Sequence, residues 1–134
     1  MKILFNEHPN KGFQRVGYCS YYGEIFYALE EVCEVTSSCG VPSRTSEFGS
    51  GYDAIVMGFG HTDCGDAGPM PTINDNNIPL FPILNKEYTG LKQKLEWIKN
   101  MKPTAALTVH HDTEEYSKIT GVPFHRIMLS LIHI

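Results

Sequence analysis

The chain reads as an α/β domain, a three-layer sandwich around a mostly parallel sheet. Short apolar runs of strand length recur along its 134 residues, and segments with the three-four apolar spacing of a helix fall between them. One run, Ala54–Met57, is continuous in apolar residues, as expected of a strand covered on both faces. Strands alternating with helices mark βαβ units around a parallel sheet.

The first strand is expected over Lys2–Phe5, closed by the polar cluster Asn6, Glu7, His8 and the breaker Pro9. A glycine-bounded loop from Gly12 to Gly17 leads into a helix, since apolar residues recur at Tyr18, Tyr21, Ile25, Leu29 and Val32. Val35 and Thr36 mark a weak second strand, and the polar stretch from Ser37 to Gly51 has no periodicity and reads as loop. Ala54–Met57 is the central strand. The segment Gly58 to Asn77, rich in Gly, Pro, Asn and Asp, is a long loop of the kind that is functional or mobile, and Gly58-Phe59-Gly60 within it reads as a turn.

Phe81–Leu84 forms a short strand, and Pro79 and Pro82, which lack ladder donors, argue for an edge position or an irregular start. Tyr88, Leu91, Leu95 and Ile98 make one apolar helical stripe, opposite Lys92, Gln93, Glu96 and Lys99, until Pro103 stops the helix. Ala105–Val109 is a further buried strand, Asp112–Ile119 a short helix closed by Gly121, and Phe124–Met128 the last strand.

Composition excludes several classes. With 42% hydrophobic and 19% charged residues the chain has enough apolar surface for a core, and its length suits one domain. A net charge of −4 argues against a phosphate-tracking nucleic-acid surface. No apolar run is long enough to span a membrane, and MKILFNEHPN lacks the apolar region of a signal peptide. Cys19, Cys33, Cys39 and Cys64 show no paired spacing and read as reduced thiols of a cytoplasmic protein.

In a parallel α/β sheet, ligands bind beyond the carboxyl ends of the strands. Four strands here end in reactive residues: Asn6-Glu7-His8, His61-Thr62-Asp63-Cys64, Asn85-Lys86-Glu87 and His110-His111-Asp112, which the topology puts on one rim. Asp112 reads as a helix N-cap with Glu115 completing a capping box, and this coexists with a histidine that contacts a ligand or acts as a base. Asn85 likewise reads as an N-cap, with Lys86 either a solvated charge or an anion contact. Arg15, between Gly12 and Gly17, lies in a loop that either presents N–H groups to a phosphate or merely turns the chain. His8, His61, Asp63, Cys64 and His110 carry groups that bind zinc-like ions, yet no H-x-H, HExxH or CxxC spacing supports a metal site, and none is assigned.

Two stretches carry a family resemblance. GFQRVGYCSYYGEIFYALEEVCEVT resembles the first loop and helix of retaining GT-B glycosyltransferases, and PILNKEYTGLKQKLEWIKNMKPTAALTVHHDTEEYSKITGVPFHRI is similar to the late part of the amino-terminal domain in a family-4-like group linked to spore-coat and cell-surface glycans. LNKEY and TVHHD are its sharpest elements. The resemblance implies a Rossmann-like domain over residues 1–128, the acceptor-side half of a GT-B fold, with 129–134 a truncated or non-native tail before a missing donor domain. It implies sugar transfer from a nucleotide sugar, a co-substrate rather than a cofactor, to a glycan or other hydroxyl acceptor, and a fragment inactive alone. Gly12 and Gly17 then correspond to the loop near the donor phosphates, and His110 or His111 to a histidine near the reacting sugar. His61, Asp63, Asn85, Lys86 and Glu87, with Arg15, complete the expected substrate-binding set. The chain departs from the family's double-glycine loop, and Gly58 to Asn77 has no counterpart. Two rival readings remain: a metal-dependent hydrolase using His8, His61, Asp63 and His110, and a non-catalytic flavodoxin-like binding domain.

Overall fold

A computed structural model describes residues 1–9, 20–64, 68–110 and 112–127, with side chains of the first helix described from Ile25 onward. Among the described residues, six strands and three α-helices follow in the order β1 (Lys2–Glu7), α1 (Ser20–Glu30), β2 (Glu34–Cys39), β3 (Ala54–Met57), β4 (Leu80–Leu84), α2 (Leu91–Met101), β5 (Ala106–Thr108), α3 (Thr113–Thr120) and β6 (Phe124–Arg126). The strands form one all-parallel sheet in the order β2-β1-β3-β4-β5-β6.

Strand alternation divides the core into two layers. Ile3, Phe5, Val56 and Ile83 face α1 and pack on Phe26, Ile25 and Leu29. Leu4, Ile55, Met57, Leu80 and Leu84 face the other way, against Leu95, Trp97, Ile98 and Met101 of α2 and Tyr116 of α3. Helices therefore cover both faces, which makes the expected Rossmann-like three-layer sandwich. Each fully buried aliphatic or aromatic side chain contributes roughly 1.5–3 kcal/mol, and this double burial explains why β3 is apolar at every position.

Several boundaries differ from the sequence reading. β1 continues through Asn6 and Glu7, which are 1% and 0% exposed, instead of stopping at Phe5. Polarity does not end a strand whose side chains find buried partners. Tyr18 lies outside the described residues. α1 ends at Glu30 and Val32 is exposed beyond it, because the Cys33 N–H bonds back to the Leu29 carbonyl and turns the chain into β2. Ser37–Cys39, expected as loop, belong to β2, an edge strand held by backbone pairing to β1 with little apolar burial. Thr45–Phe48 forms a 3-10 turn within the remaining stretch.

β4 is interior, between β3 and β5, and not at an edge. Pro82 is tolerated there because pairing with β5 begins one residue later, at Ile83 with Leu107, so its missing N–H falls where no β4–β5 pair forms. Tyr88 is exposed ahead of α2 and does not join the apolar stripe. Asp112 does sit at the N-cap of α3, but its side chain makes no capping hydrogen bond, so the expected capping box is absent. Gly121 closes α3 in the left-handed conformation, as expected.

The described part of the long loop after β3 is pinned. Ile73 and Thr45 are tied by the Thr45 N–H to the Ile73 carbonyl, and Ser46 donates to Asp75. The Trp97 indole N–H donates to the Met70 carbonyl at 2.8 Å. Among the described residues, no helix is long and apolar enough to cross a membrane.

Candidate functional site

The sheet order reverses direction between β1 and β3: from β1 the chain moves to β2 on one side, and then to β3, β4, β5 and β6 on the other. Such a switch point opens a crevice at the carboxyl ends of the two strands. The ends of β1, β3, β4 and β5 are consecutive in the sheet, so the four polar clusters read from the sequence share one rim.

At the switch point β1 delivers Asn6 and Glu7. Glu7 Oε1 accepts the backbone N–H of Gly60 at 2.7 Å and of His8 at 2.8 Å, which ties the end of β1 to the 3-10 turn Phe59–Thr62 that follows β3. That turn bears out the reading of Gly58-Phe59-Gly60. His61, on the turn, is buried between Trp97, whose ring stacks at a centroid distance of 6.1 Å, and His8, edge-on at 5.6 Å. Burial first, and the neighbouring His8 second, push the His61 pKa down to about 4, so the ring is neutral at neutral pH. Its Nε2 lies 2.7 Å from Asn6 Oδ1, and Asn6 Nδ2 donates to Ser38. This network assigns the proton to Nε2, leaving a lone pair on Nδ1. Beside Asn6, a cavity of about 260 Å³ lies at the carboxyl ends of β1 and β2, lined by Ser38, Cys39 and Pro42 among others.

The second group joins β3, β4 and β5. Thr62 Oγ1 donates to the Ile83 carbonyl and accepts the Asn85 N–H, both at 2.9 Å. Asn85 is not a helix cap: α2 starts five residues after the position expected for its first residue, with Gly90 at the N-cap, and Asn85 is buried at the end of β4. Lys86 pairs with Asp63 at 2.6 Å. Lys94, wholly buried on α2, donates to the carbonyls of Asn85 and Lys86 at 3.1 and 2.8 Å. Burial lowers its pKa. Thr108, at the end of β5, donates to Glu87 at 2.5 Å and accepts the His110 N–H at 3.1 Å. His110 is exposed; its Nδ1 lies 3.3 Å from an Asp112 carboxylate oxygen and 3.4 Å from the Asp112 backbone nitrogen, and these two contacts compete for one ring position.

Of the residues singled out from sequence, the structure brings Asp63 to Lys86, joins Glu87 and His110 through Thr108, and buries His61 and Asn85. Gly12, Arg15, Gly17 and His111 lie outside the described residues. Sequence reasoning named Thr62 within its strand-end cluster but missed Lys94, Trp97 and Thr108. Lys94 carried a legible signal, since it falls three residues after Leu91 and four before Ile98, on the apolar stripe itself. The Thr108 hydroxyl carried none, because strand threonines are ordinary.

Among the described residues, no three His, Cys, Asp or Glu side chains converge as a metal-holding group. The His8, His61, Asp63 and His110 set of the hydrolase reading is divided between the two clusters, with Asp63 engaged by Lys86 and His61 by Asn6. Cys33, Cys39 and Cys64 form no disulfide. A separate groove of about 370 Å³ between α2 and α3, lined by Leu91, Leu95 and Ile119, lies on the outer helical layer away from the strand ends. Compared with protein-family models, curated proteins and solved structures, the chain gives no match.

Proposed function

We propose that the chain is the acceptor-side domain of a cytoplasmic GT-B-type glycosyltransferase, and that its strand-end rim receives a sugar or glycan hydroxyl. The observation that carries this reading is the rim itself: donors and acceptors from four adjacent parallel strands, held in place by buried hydrogen bonds, at a topological switch point. Sugars are recognised by many hydrogen bonds to neutral hydroxyls, and a rim in which Lys86 is matched by Asp63 and the imidazole of His61 is neutral suits that demand better than a cluster of like charges does. His110, exposed among the described residues of the rim, or its neighbour His111 is the group proposed to lie nearest the reacting sugar. Fixed dipoles that need no reorganisation are what such a transfer requires from a wall of its cleft. The nucleotide sugar would be held mainly by a second, donor domain, as the resemblance implies.

Calorimetric titration of the purified chain with simple methyl glycosides, nucleotide sugars and divalent metals tests this. Saturable glycoside binding, insensitive to chelator and weakened by His110→Ala, is expected. Metal binding with no response to any glycoside would sink the reading and restore the hydrolase.

A further inference from the structure

The turn Asn85-Lys86-Glu87 is fixed at every joint. The Asn85 N–H is taken by Thr62, its carbonyl by Lys94, the Lys86 carbonyl by Lys94 and by the Thr89 N–H, the Lys86 ammonium by Asp63, and Glu87 by Thr108. Lys86 adopts a positive φ of 52°, a conformation that non-glycine residues hold only when their surroundings impose it. Among the described residues, one buried side-chain polar atom of this turn is left over. The Asn85 side-chain nitrogen is buried, on a residue only 5% exposed, and has no hydrogen-bond partner among the described residues. Buried amide donors in native proteins are nearly always paired, and a rigid turn around an unpaired one is the arrangement expected where a ligand completes the set.

We infer that Asn85 Nδ2 is a preformed donor for a neutral hydroxyl oxygen of the ligand, with Lys94 as the positioning residue that holds the turn. This rests on the proposed function and names the ligand chemistry of that rim. The charges around the turn set the class: the ammonium groups of Lys86 and Lys94 are matched by the carboxylates of Asp63 and Glu87. A phosphate or carboxylate would lie beside those two acids, whereas a hydroxyl carries no charge to repel. Lys94 is wholly buried and spends two of its three donors on backbone carbonyls, so it acts on the ligand through the turn.

The test is an NMR titration of the full chain with methyl β-glucoside, methyl α-mannoside and N-acetylglucosamine, with inorganic phosphate in parallel, following the Asn85 side-chain NH2 signals. Asn85→Leu is then compared with wild type for affinity and Tm. The expected result is a saturable shift of the Asn85 NH2 signals with at least one glycoside, at least tenfold weaker affinity in Asn85→Leu, and a Tm that is unchanged or raised because an unpaired donor has been removed. Glycoside binding that leaves the Asn85 signals unmoved and survives Asn85→Leu overturns the subsite while the proposed function stands. A response to phosphate alone overturns the neutral-hydroxyl class. If no glycoside moves any signal of the rim, the inference and the proposed function fall together. A lowered Tm with undiminished glycoside affinity shows that the amide serves the fold and also overturns the subsite.

Discussion

Gly58 lies against the carboxylate of Glu7 so closely that a methyl group on its Cα would collide with the carboxylate's Oε2 and Cδ atoms. The same carboxylate bonds the N–H groups of His8 and Gly60, so it cannot retreat without breaking the tie between β1 and β3. Gly58 has an ordinary negative φ of −69°, and its requirement for glycine is therefore one of space, not of backbone torsion. Gly58→Ala is expected to destabilise the domain by roughly 1–3 kcal/mol, the usual cost of overpacking, as read from urea unfolding. A loss below about 0.5 kcal/mol would show that Glu7 has room to move.

His61 makes stability depend on acidity. Its pKa is about 4 when folded and the ordinary value is 6.5, so between these limits the unfolded chain binds a proton that the folded chain does not. The stabilisation is complete above pH 6.5, declines as pH falls through the window, and levels off below 4. The whole effect is about 3 kcal/mol. Urea midpoints measured from pH 7.5 to 4 check this: His61→Gln should flatten the decline by about one proton, and an unchanged slope would show that another group governs it.

Lys94→Met keeps the length of the side chain but strips the carbonyls of Asn85 and Lys86 of their buried donor. Relief of a buried charge offsets part of the loss, leaving an expected net cost of roughly 1–3 kcal/mol. Hydrogen exchange should locate the loosening at residues 85–89 before the rest of the sheet responds. Uniform loss of protection would contradict a local role for Lys94.

At the start of α3, Asp112 occupies the capping position without the capping bond. Asp112→Ala should therefore cost less than the ~1 kcal/mol typical of an N-cap. A full-sized loss in thermal or urea unfolding would show that the bond forms in solution.

Much of the architecture was legible. Ala54–Met57 could be placed centrally because four consecutive apolar residues have no stable home except a strand covered twice. α2 could be placed from Leu91, Leu95 and Ile98, whose spacing gives one face. Pro79 and Pro82 point to an edge position or an irregular start for β4, and the sheet excludes the edge, because whether the missing Pro82 donor is needed depends on where a neighbouring strand begins to pair. Asn6 and Glu7 look from sequence like residues beyond β1 because their polarity is local while their partners, Ser38, His61 and the Gly60 N–H, lie 32 to 55 positions away.

Sequence by itself determined the layers: periodicity decides which residues must leave water, and the alternation of strand and helix then leaves a parallel sheet as the way to bury them. It also determined that the reactive residues follow strands and share a rim. Tertiary structure alone decided which of them meet. That Lys94 holds the turn after β4, that burial beside Trp97 and His8 lowers the proton affinity of His61, and that Asn85 Nδ2 is left without a partner among the described residues are consequences of distances across the fold. Hydrogen bonds and desolvation act over a few ångströms, and no local pattern records which distant residues the sheet will bring within that range.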